Sequence, residues 1–344
     1  MAVIGVMYNL KGESPEEGEP PDSGAELDSE STVLAIANSL TAYGHSVELI
    51  EGNETAYLRL LKRDVDVVFN ICEGLRGESR ESHIPAILEM LGIPYTGSGV
   101  LTLAITLDKP LTKKILSFHN IPNAKFQVIS SEDEIDVNSL EFPLFVKPAH
   151  EGSSIGISSD SLCNDNVELL SQVRRLLNTY KQPVLVEEFL PGREFTVAII
   201  GNERPYIFPP MEINYSNVPE HHGNIYSRQF KEQWFEDKYY TCPAPVSLEI
   251  EKQIKDTALK TFRVLGCRDL ARIDMRLDRN GIPNVIEVNP LPGLAPDYSD
   301  YPRIAQKMGW SYEELINAIL ACALKRYGLL HLISADVLRY RQIA

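Results

Sequence analysis

Residues 271–290 read ARIDMRLDRNGIPNVIEVNP, and this stretch decides the interpretation of the chain. Apolar residues recur on both sides of Asn280-Gly281, a dipeptide typical of a two-residue β-hairpin turn. A tight turn there places Asp274 opposite Glu287 on the paired strands. The stretch therefore predicts a hairpin that brings two carboxylates together.

The side chains of the second strand should divide between two faces, because successive residues of a strand point in opposite directions. Glu287 and Asn289 are expected to share one face with Val285. Ile286 and Val288 are expected to point the other way, into a core. The first face is therefore the polar one.

Arg272 lies opposite Asn289 in the same register, so four polar groups should converge on that face. Two carboxylates about 4 Å apart repel by about 4 kcal/mol at an effective dielectric constant near 20, and a divalent cation reverses that sign. We therefore predict that Asp274, Glu287 and Asn289 bind Mg²⁺ or Mn²⁺, with Arg272 nearby for substrate charge. The alternative is a solvated hairpin face with a surface arginine.

The chain has 344 residues, 44% of them hydrophobic and 24% charged, which is the composition of a globular protein. Its net charge of -15 argues against nucleic-acid or anionic-lipid partners. The five cysteines are scattered and form no CxxC motif, which indicates reduced thiols in a cytoplasmic protein. The opening MAVIGVMYNL predicts a first strand and not a signal peptide, and no segment approaches membrane-spanning length.

Much of the negative charge is concentrated between Lys11 and Glu30, where eight acids accompany one lysine. This segment also contains three prolines and three glycines. Because it can bury little apolar surface, we expect a mobile, solvated insertion.

Strand and helix patterns alternate in the first third of the chain, which predicts an α/β domain with a small open parallel sheet. This domain should end near Asp108, where Pro110 interrupts a helical pattern. We expect three domains: 1–108, a compact central unit at 109–190, and a C-terminal unit at 191–344, α+β in part. The polar and aromatic stretch 214–240 is too long for an ordinary connection and is predicted to be an active-site loop.

The stretch KPAHEGSSIGISS, residues 147–159, follows a predicted strand. Its glycines and serines offer backbone N–H groups that can close over phosphates, and Lys147 can meet a phosphate as a point charge. The spacing matches neither the P-loop nor the dinucleotide-binding motif. The alternative is a Gly/Ser-rich hairpin turn.

The stretch VLVEEFLPGREF, residues 184–195, predicts a strand. Alternation places Glu187 and Phe189 on one face and Glu188 and Leu190 on the other. Such a strand can offer an apolar slot for adenine, backbone groups for its edge and acceptors for ribose hydroxyls. The alternative is a sheet-edge strand with solvated acids.

Together these stretches resemble the ATP-grasp superfamily and, within it, the D-alanine–D-alanine ligase family. The resemblance covers nearly the whole chain after residue 30. It is carried, in order, by IPYTGSG, FPLFVKPAHEGSSIGISS, VLVEEFLPGREFTVAIIG, ARIDM and VIEVNPLPGL. It implies an ATP-grasp fold with an N-terminal open parallel-sheet domain.

The resemblance also implies roles for individual residues at the matching positions. The residues that would contact ATP are Lys109, Lys147, Glu151, Gly152, Ser153, Ser154, Glu187, Glu188, Phe189, Leu190, Glu194, Lys231 and Asn289. Two metal ions would be held by Asp274, Glu287 and Asn289. Arg272 and Gly293 would hold the developing oxyanion, Ser153 would lie near the substrates, and Ser299 would meet a substrate carboxylate if one residue is inserted before it.

Three departures from the family pattern concern the amino-acid substrates. Glu73 stands where the family has histidine before Gly74, and it is expected to bind an amine or another side chain, or else to be a capped loop acid. Segment 8–31 replaces the family's first glycine-rich turn, which brings an acid to the first substrate's amino group. Glu232 replaces the tyrosine beside the lid lysine.

The implied function is ATP-dependent ligation of a carboxylate to an amine, giving a dipeptide for peptidoglycan through an acyl phosphate, with release of ADP and phosphate. The alternatives are an ATP-grasp ligase for other amino acids or a biosynthetic amine, and a non-catalytic nucleotide-binding protein. Small-molecule amino acids, ATP and Mg²⁺ or Mn²⁺ are the expected ligands. A cytoplasmic homodimer is expected.

Overall fold

The computed structural model describes residues 1–12, 19–62, 64–216, 218–219, 224–234 and 236–333. These residues form three β-sheets with helices packed on them. In this part of the chain, no helix combines the length and the apolar character that crossing a membrane requires.

The first sheet is parallel, as predicted. Its strands are β1 (Val3–Tyr8), β2 (Ser46–Glu51) and β3 (Val67–Asn70). Their order is β2-β1-β3, and the crossover connections contain helices, as parallel neighbours require. The helices are α1 (Glu30–Ala42), α2 (Ala56–Leu60), α3 (His83–Leu91) and α4 (Val100–Leu107).

The second sheet is antiparallel. Its strands are β4 (Phe126–Ile129), β5 (Leu144–Pro148), β6 (Leu162–Cys163) and β7 (Val184–Glu188), in the order β4-β7-β5-β6. Two helices accompany it: α5 (Lys109–Phe118) and α6 (Asn166–Tyr180). The Asp108 carboxylate caps α5 by accepting from the Leu111 N–H, so the helical pattern breaks where Pro110 predicted. The predicted domain limits themselves stay a prediction.

The third sheet is also antiparallel. Its strands are β8 (Glu194–Ile200), β9 (Tyr206–Ile207), β10 (Met211–Ile213), β11 (Tyr240–Thr241), β12 (Leu270–Leu277) and β13 (Pro283–Asn289). Their order is β11-β10-β8-β12-β13, and β9 pairs with β8. The helices are α7 (Arg228–Gln233), α8 (Leu248–Val264), α9 (Asp300–Lys307) and α10 (Tyr312–Arg326).

Helix α10 fixes the first sheet to the C-terminal part of the chain. It begins at the predicted capping box of Ser311 and Glu314. Residues 315–324 are all buried, in one hydrophobic cluster with β1, β3 and α1. The two ends of the described chain therefore share a core, and this holds the N-terminal segments over the third sheet.

Helix α9 was not predicted. It has only eight residues, and its buried positions 300–305 include the polar Asp300 and Arg303, which composition alone would place on the surface. Pro302 lies in its first turn, where a missing N–H costs nothing.

The hairpin between β12 and β13 has a five-residue loop, 278–282, and not the predicted two-residue turn. A bulge at Ile286 adds one residue to β13 and offsets the longer loop. The predicted pairing of Asp274 with Glu287 is therefore confirmed, as is that of Arg272 with Asn289.

The same bulge makes the predicted faces partly wrong. Val285 is 2% exposed and packs in the core with Val288, although it was expected on the polar face. Ile286, which was expected in the core, lines a cleft beside Glu287. An inserted residue reverses the alternation on one side of the bulge, and this explains both exchanges.

The acidic segment was expected to be mobile and solvated, and the expectation of solvation is wrong for Asp22 and Glu26. Asp22 accepts hydrogen bonds from the Gly156 N–H (2.8 Å) and from the Tyr180 hydroxyl (3.0 Å). Glu26 accepts from the Gly152 N–H, and its side chain is 7% exposed. These acids are ordered because backbone N–H groups, a hydroxyl and a guanidinium replace water as donors. Residues 13–18 lie outside the described part.

Candidate active site

Two adjoining clefts lie beside the third sheet, the first facing the second sheet and the second facing the N-terminal segments. The first cleft encloses about 740 Å³ of open space and the second about 1680 Å³. Both are lined by Lys109, Tyr226, Lys231 and Glu287, so they meet at the hairpin. The sequence-predicted site residues that line the first cleft are Lys109, Lys147, Ser154, Glu187, Glu188, Phe189, Leu190, Glu194, Lys231, Asp274 and Glu287.

The second cleft is lined by the predicted catalytic and substrate-binding residues Glu73, Ser153, Arg272, Gly293 and Ser299. It is also lined by Gly152 and Asn289, which were predicted to contact ATP or the metal. Glu151 is the exception among the predicted residues, since it lines neither cleft. Its carboxylate accepts from Arg80 (3.0 Å) and Gln182 (2.6 Å), while its carbonyl accepts from Lys109.

Glu187 joins two lysines inside the first cleft. Its carboxylate lies 2.7 Å from Lys147 Nζ and 2.8 Å from Lys113 Nζ. Burial alone would raise the pKa of Glu187, but the two lysines lower it to about 2. Lys113 was missed, although it lies one helical turn after Lys109.

The wall of the first cleft near the end of β7 is apolar. Phe145 and Phe189 stack with their ring centroids 6.4 Å apart, and Leu190 lines the same cleft. Because β7 ends at Glu188, strand alternation does not extend to Leu190, and residues 187–190 all line the cleft. This wall can hold a flat aromatic ring.

Glu194 forms a buried pair with Arg276. Arg276 Nη1 lies 3.1 Å from the Glu194 carboxylate, which also accepts from the Tyr215 hydroxyl at 2.7 Å. Burial raises the pKa of Glu194 despite these partners. Arg276 was missed, yet alternation along β12 places it on the face of Arg272 and Asp274.

The hairpin acids lie where the two clefts meet. Asp274 accepts from Thr196 Oγ1 (2.6 Å), Arg272 Nη2 (2.9 Å) and Asn289 Nδ2 (3.1 Å). The Glu287 carboxylate lies 2.9 Å from Lys109 Nζ. Burial would raise the pKa of Glu287, but Lys109 and then Lys147 lower it to about 2.

The donor set of the hairpin fits a hard divalent cation that is also bound to phosphates. Two carboxylates and one carboxamide suit Mg²⁺, which takes few protein ligands and fills its shell with phosphate oxygens and water. Among the described residues there is no group of three or more acid, histidine or cysteine side chains that could hold a metal without such help. The cations Lys109 and Arg272 neutralise Glu287 and Asp274 in this structure.

The glycine-rich loop, residues 151–156, contacts two segments that border the clefts. Ser153 and Ser154 adopt positive φ angles of 46° and 61°, which is uncommon outside glycine. The Ser154 hydroxyl donates to the Tyr226 carbonyl at 3.0 Å. The loop thus contacts the segment 214–240 on one side and Glu26 on the other.

The segment 214–240, called the lid here, carries the predicted Lys231 on α7. Lys231 Nζ lies 4.7 Å from the centre of the Tyr226 ring, and burial, then repulsion from Arg272, lowers its pKa. The Tyr226 hydroxyl donates to Asp300 at 3.0 Å, which ties the lid to α9. The side chain of Glu232 lies outside the described part of the lid.

Gly293 and Ser299 approach each other closely at the far wall of the second cleft. A Cβ atom at residue 293 would lie 2.9 Å from Ser299 Oγ, so only glycine fits there without a shift. Ser299 Oγ also accepts from the Ala295 N–H at 3.1 Å. Its hydroxyl is thereby held beside the Gly293 backbone.

Several acids of the second cleft were missed as site residues, namely Glu26, Asp28 and Glu81. No local signal identified Glu26 and Asp28, because the composition around them indicates a solvated segment. Glu81 follows Glu73 by eight residues, but no strand or helix period connects them.

The two antiparallel sheets, with an aromatic slot, buried lysines and paired hairpin acids between them, define an ATP-grasp ligase. The family model described as D-ala D-ala ligase C-terminus matches residues 115–321. An uncharacterized protein of Sinorhizobium fredii is 35% identical over 334 residues, which is 95% of each chain. The D-alanine–D-alanine ligase of Mannheimia succiniciproducens is 33% identical over 292 residues, 83% of this chain and 90% of its own.

A solved structure agrees with this fold. The crystal structure of D-alanine–D-alanine ligase from Bacillus anthracis complexed with ATP matches with a TM-score of 0.72 and covers 95% of this chain and 99% of its own. At 24% identity it supports the fold alone. The chain belongs to the D-alanine–D-alanine ligase family. The predicted family, the ATP-grasp fold and the ATP-dependent C–N ligase activity are thereby confirmed.

Proposed function

We propose that the protein joins the carboxylate of one amino acid to the amine of another, using ATP to form an acyl phosphate. The observation that carries this proposal is the facing pair Asp274 and Glu287, placed where the two clefts meet beside Lys109. D-alanine is the substrate that the named relatives suggest, in peptidoglycan synthesis. Another amino acid is the second candidate, favoured by the glutamate at position 73.

The first cleft is the proposed ATP site. The adenine ring would lie against Phe189 and Leu190, and Glu188 and Glu194 would lie beside it and the ribose. Lys147 and Lys109 would meet the phosphates, with residues 151–154 closing over them. Glu187 offsets the positive charge that its two lysines would otherwise bury without a partner.

Asp274, Glu287 and Asn289 would hold Mg²⁺ or Mn²⁺, and we propose two ions. Bound there, the metal supplies charge neutralisation for the phosphates of ATP. Arg272 lies 2.9 Å from Asp274, so its guanidinium is already fixed beside this site.

Arg272 and the backbone of Gly293 are the proposed donors to the oxyanion that develops when the amine attacks. Fixed donors stabilise such charge because they need no reorganisation during the reaction. Ser153, Ser299 and Glu73 line the same cleft and would position the amino acids. The lid, with Lys231, would exclude water and limit hydrolysis of the acyl phosphate.

The proposal also covers the cellular location of the protein and its oligomeric state. We place the protein in the cytoplasm because all five cysteines are free thiols. We propose a homodimer because α3 and α4 expose Met90 (67%) and Leu101 (72%). Light scattering at several protein concentrations measures the assembly directly.

The decisive experiment measures phosphate release and product mass for the purified chain with ATP, Mg²⁺ and a panel of D- and L-amino acids. We expect release that requires an added amino acid and stops when the metal is chelated. ATP cleavage indifferent to every amino acid would contradict the ligase proposal. A dipeptide of D-alanine would select the first candidate substrate over the second.

A further inference from the structure

Four carboxylates gather on one side of the second cleft, and the proposed chemistry uses only one of them. Glu26 and Asp28 precede α1, Glu73 follows β3, and Glu81 precedes α3, and all four line this cleft. They are close enough to affect one another: burial, then Glu81, Glu26 and Asp28, raise the pKa of Glu73. Tertiary packing alone brings these three segments together.

Glu81 is a buried side chain without a partner. It is 9% exposed and lines the second cleft, yet within the described residues its carboxylate forms no hydrogen bond or ion pair. The Glu73 carboxylate, on a partly exposed side chain, likewise forms no hydrogen bond or ion pair over that part of the chain. Buried polar groups are normally hydrogen-bonded, because a buried group that lacks a hydrogen-bond partner costs free energy. Two unpaired carboxylates facing one cavity therefore indicate a donor that comes from a ligand.

The neighbouring basic groups are already engaged. Arg80 lies 2.7 Å from Glu26 and 3.0 Å from Glu151, and Lys109 lies 2.9 Å from Glu287. Burial and the neighbouring acids raise the pKa of Glu73 and Glu81, and they outweigh Arg80, which lowers both, and Lys109, which lowers that of Glu81. A ligand that brings positive charge as well as N–H donors would therefore favour the ionised forms of these two acids.

The α-ammonium group of an ordinary amino acid supplies one such charge. Its three N–H donors can satisfy one or two carboxylates, with Glu26 or Asp28 among the candidates. Glu73 and Glu81 would still lie together unpaired, and because ionising both conflicts with their burial, the pKa of each stays raised. A second ammonium group on the same substrate removes this conflict.

We infer that Glu73 and Glu81 bind a side-chain ammonium group, so that one substrate of this ligase is a diamino acid. The inference rests on the proposed function only in treating the second cleft as the amino-acid site. A side-chain amine held between two glutamates distinguishes this substrate class from alanine.

The test compares amino acids that differ in one amine. Lysine and norleucine have the same carbon chain, as do ornithine and norvaline, and each is used in its D and L forms, with D-alanine as reference. The full chain, ATP and Mg²⁺ are present, and phosphate release and product mass are measured. We expect kcat/KM for the diamino member of a pair to exceed that of its neutral partner by roughly tenfold or more.

Two variants locate the preference. Glu73→Gln and Glu81→Gln keep side-chain shape and should each reduce the diamino-to-neutral ratio, mainly through KM of the diamino acid. Glu78→Gln, an exposed acid in the same connection, is the matched control and should leave the ratio unchanged. Neutral amino acids that react as well as their diamino partners would overturn the inference, as would a ratio unaffected by both variants.

Failure of ligation is distinguishable from failure of the inference. If no amino acid supports phosphate release, the proposed function is wrong, and calorimetric titration of the chain with lysine and norleucine in the presence of ADP decides the inference. Tighter binding of lysine that Glu81→Gln removes supports the site, and equal binding overturns it. Circular dichroism and a melting curve confirm that each variant is folded.

Discussion

The two clefts differ in how many of their acids have a basic partner. In the first cleft Glu187 is paired with two lysines, Glu194 with Arg276 and Glu287 with Lys109. In the second cleft Glu73 and Glu81 have no such partner within the described residues. The first cleft is therefore electrostatically complete before a ligand arrives, whereas the second depends on its ligand for neutralisation.

This difference shows which half of the site can vary among related proteins. A nucleotide presents the same groups in every ligase that uses it, so a fixed set of paired charges serves as its site. An amino-acid substrate varies in its side chain, and unpaired acids are a direct way to select one class. Removing one partner of a buried ion pair is costly, while removing an unpaired acid is not. Substitutions can separate the two situations.

The largest effect is expected at the junction of the clefts. Glu287→Gln removes a proposed metal ligand while keeping the shape of the side chain, and we expect turnover to fall by about a thousandfold or more. The chain should stay folded, but its melting temperature should fall, because the buried Lys109 loses its counter-charge and keeps only its contact with the Glu151 carbonyl. Steady-state phosphate release with saturating substrates measures the effect.

The matched control for this substitution is Glu78→Gln, which changes the same functional group at an exposed position. It should retain the wild-type rate. Near-normal turnover in Glu287→Gln would show that the hairpin acids take no part in the reaction. The two clefts would then not form one active site.

The second prediction tests the paired character of the first cleft. Glu187→Gln leaves Lys113 and Lys147 buried without their counter-charge, and we expect a loss of about 3–5 kcal/mol in the free energy of unfolding. Urea denaturation monitored by circular dichroism measures this loss. Glu188→Gln is the control, since Glu188 is a partly exposed neighbour whose pairing with exposed Lys125 is worth about 1 kcal/mol at most. Equal effects of the two substitutions would contradict the comparison of the clefts.

The third prediction concerns the unpaired character of the second cleft. Burial, then the nearby Glu26, raises the pKa of Glu81 to about 8, far above its ordinary value of 4.5. Between these values the folded state holds a proton that the unfolded state has released, so the free energy of unfolding should fall as pH rises from about 5 to 8. Below pH 4.5 this group has no effect.

Glu81→Gln cannot titrate, so its free energy of unfolding should decline less over the same range. Urea midpoints at pH 5, 6, 7 and 8 provide the measurement, with Glu78→Gln following the wild-type curve. Parallel curves for wild type and Glu81→Gln would mean that Glu81 ionises normally, and the cleft would then lack the unpaired acid on which the comparison depends.

The first cleft could be predicted from the sequence because its residues lie in short continuous motifs. Residues 147–154 and 184–194 supply much of its lining, and β-strand alternation assigns faces locally. The hairpin pairing was also found, although the predicted turn was too short and the bulge at Ile286 went unseen. A bulge has no reliable sequence signature, and here its single residue cancelled the error in the loop.

The second cleft could not be predicted to the same extent, because its acids come from separate segments. Glu26 lies in a stretch whose composition indicates solvation, and only packing against the Gly152 N–H and Arg80 shows otherwise. Glu81 resembles any helix-proximal acid until the structure places it beside Glu73. Whether an acid is buried or paired depends on the tertiary structure, and amino-acid composition does not show it.

The smallest effect is expected at Tyr226, which lines both clefts and ties the lid to α9. Tyr226→Phe keeps the ring under Lys231 but loses the hydrogen bond to Asp300, worth about 1 kcal/mol, so the rate of dipeptide formation should fall roughly fivefold. A lid held less firmly admits water, and phosphate release without dipeptide should increase as a share of turnover. Parallel assays of phosphate and product measure this share. If the two stay in the wild-type ratio, the lid does not protect the intermediate. The two clefts would then differ only in the pairing of their charged residues. Closure of the lid over the first cleft would not affect the reaction in the second.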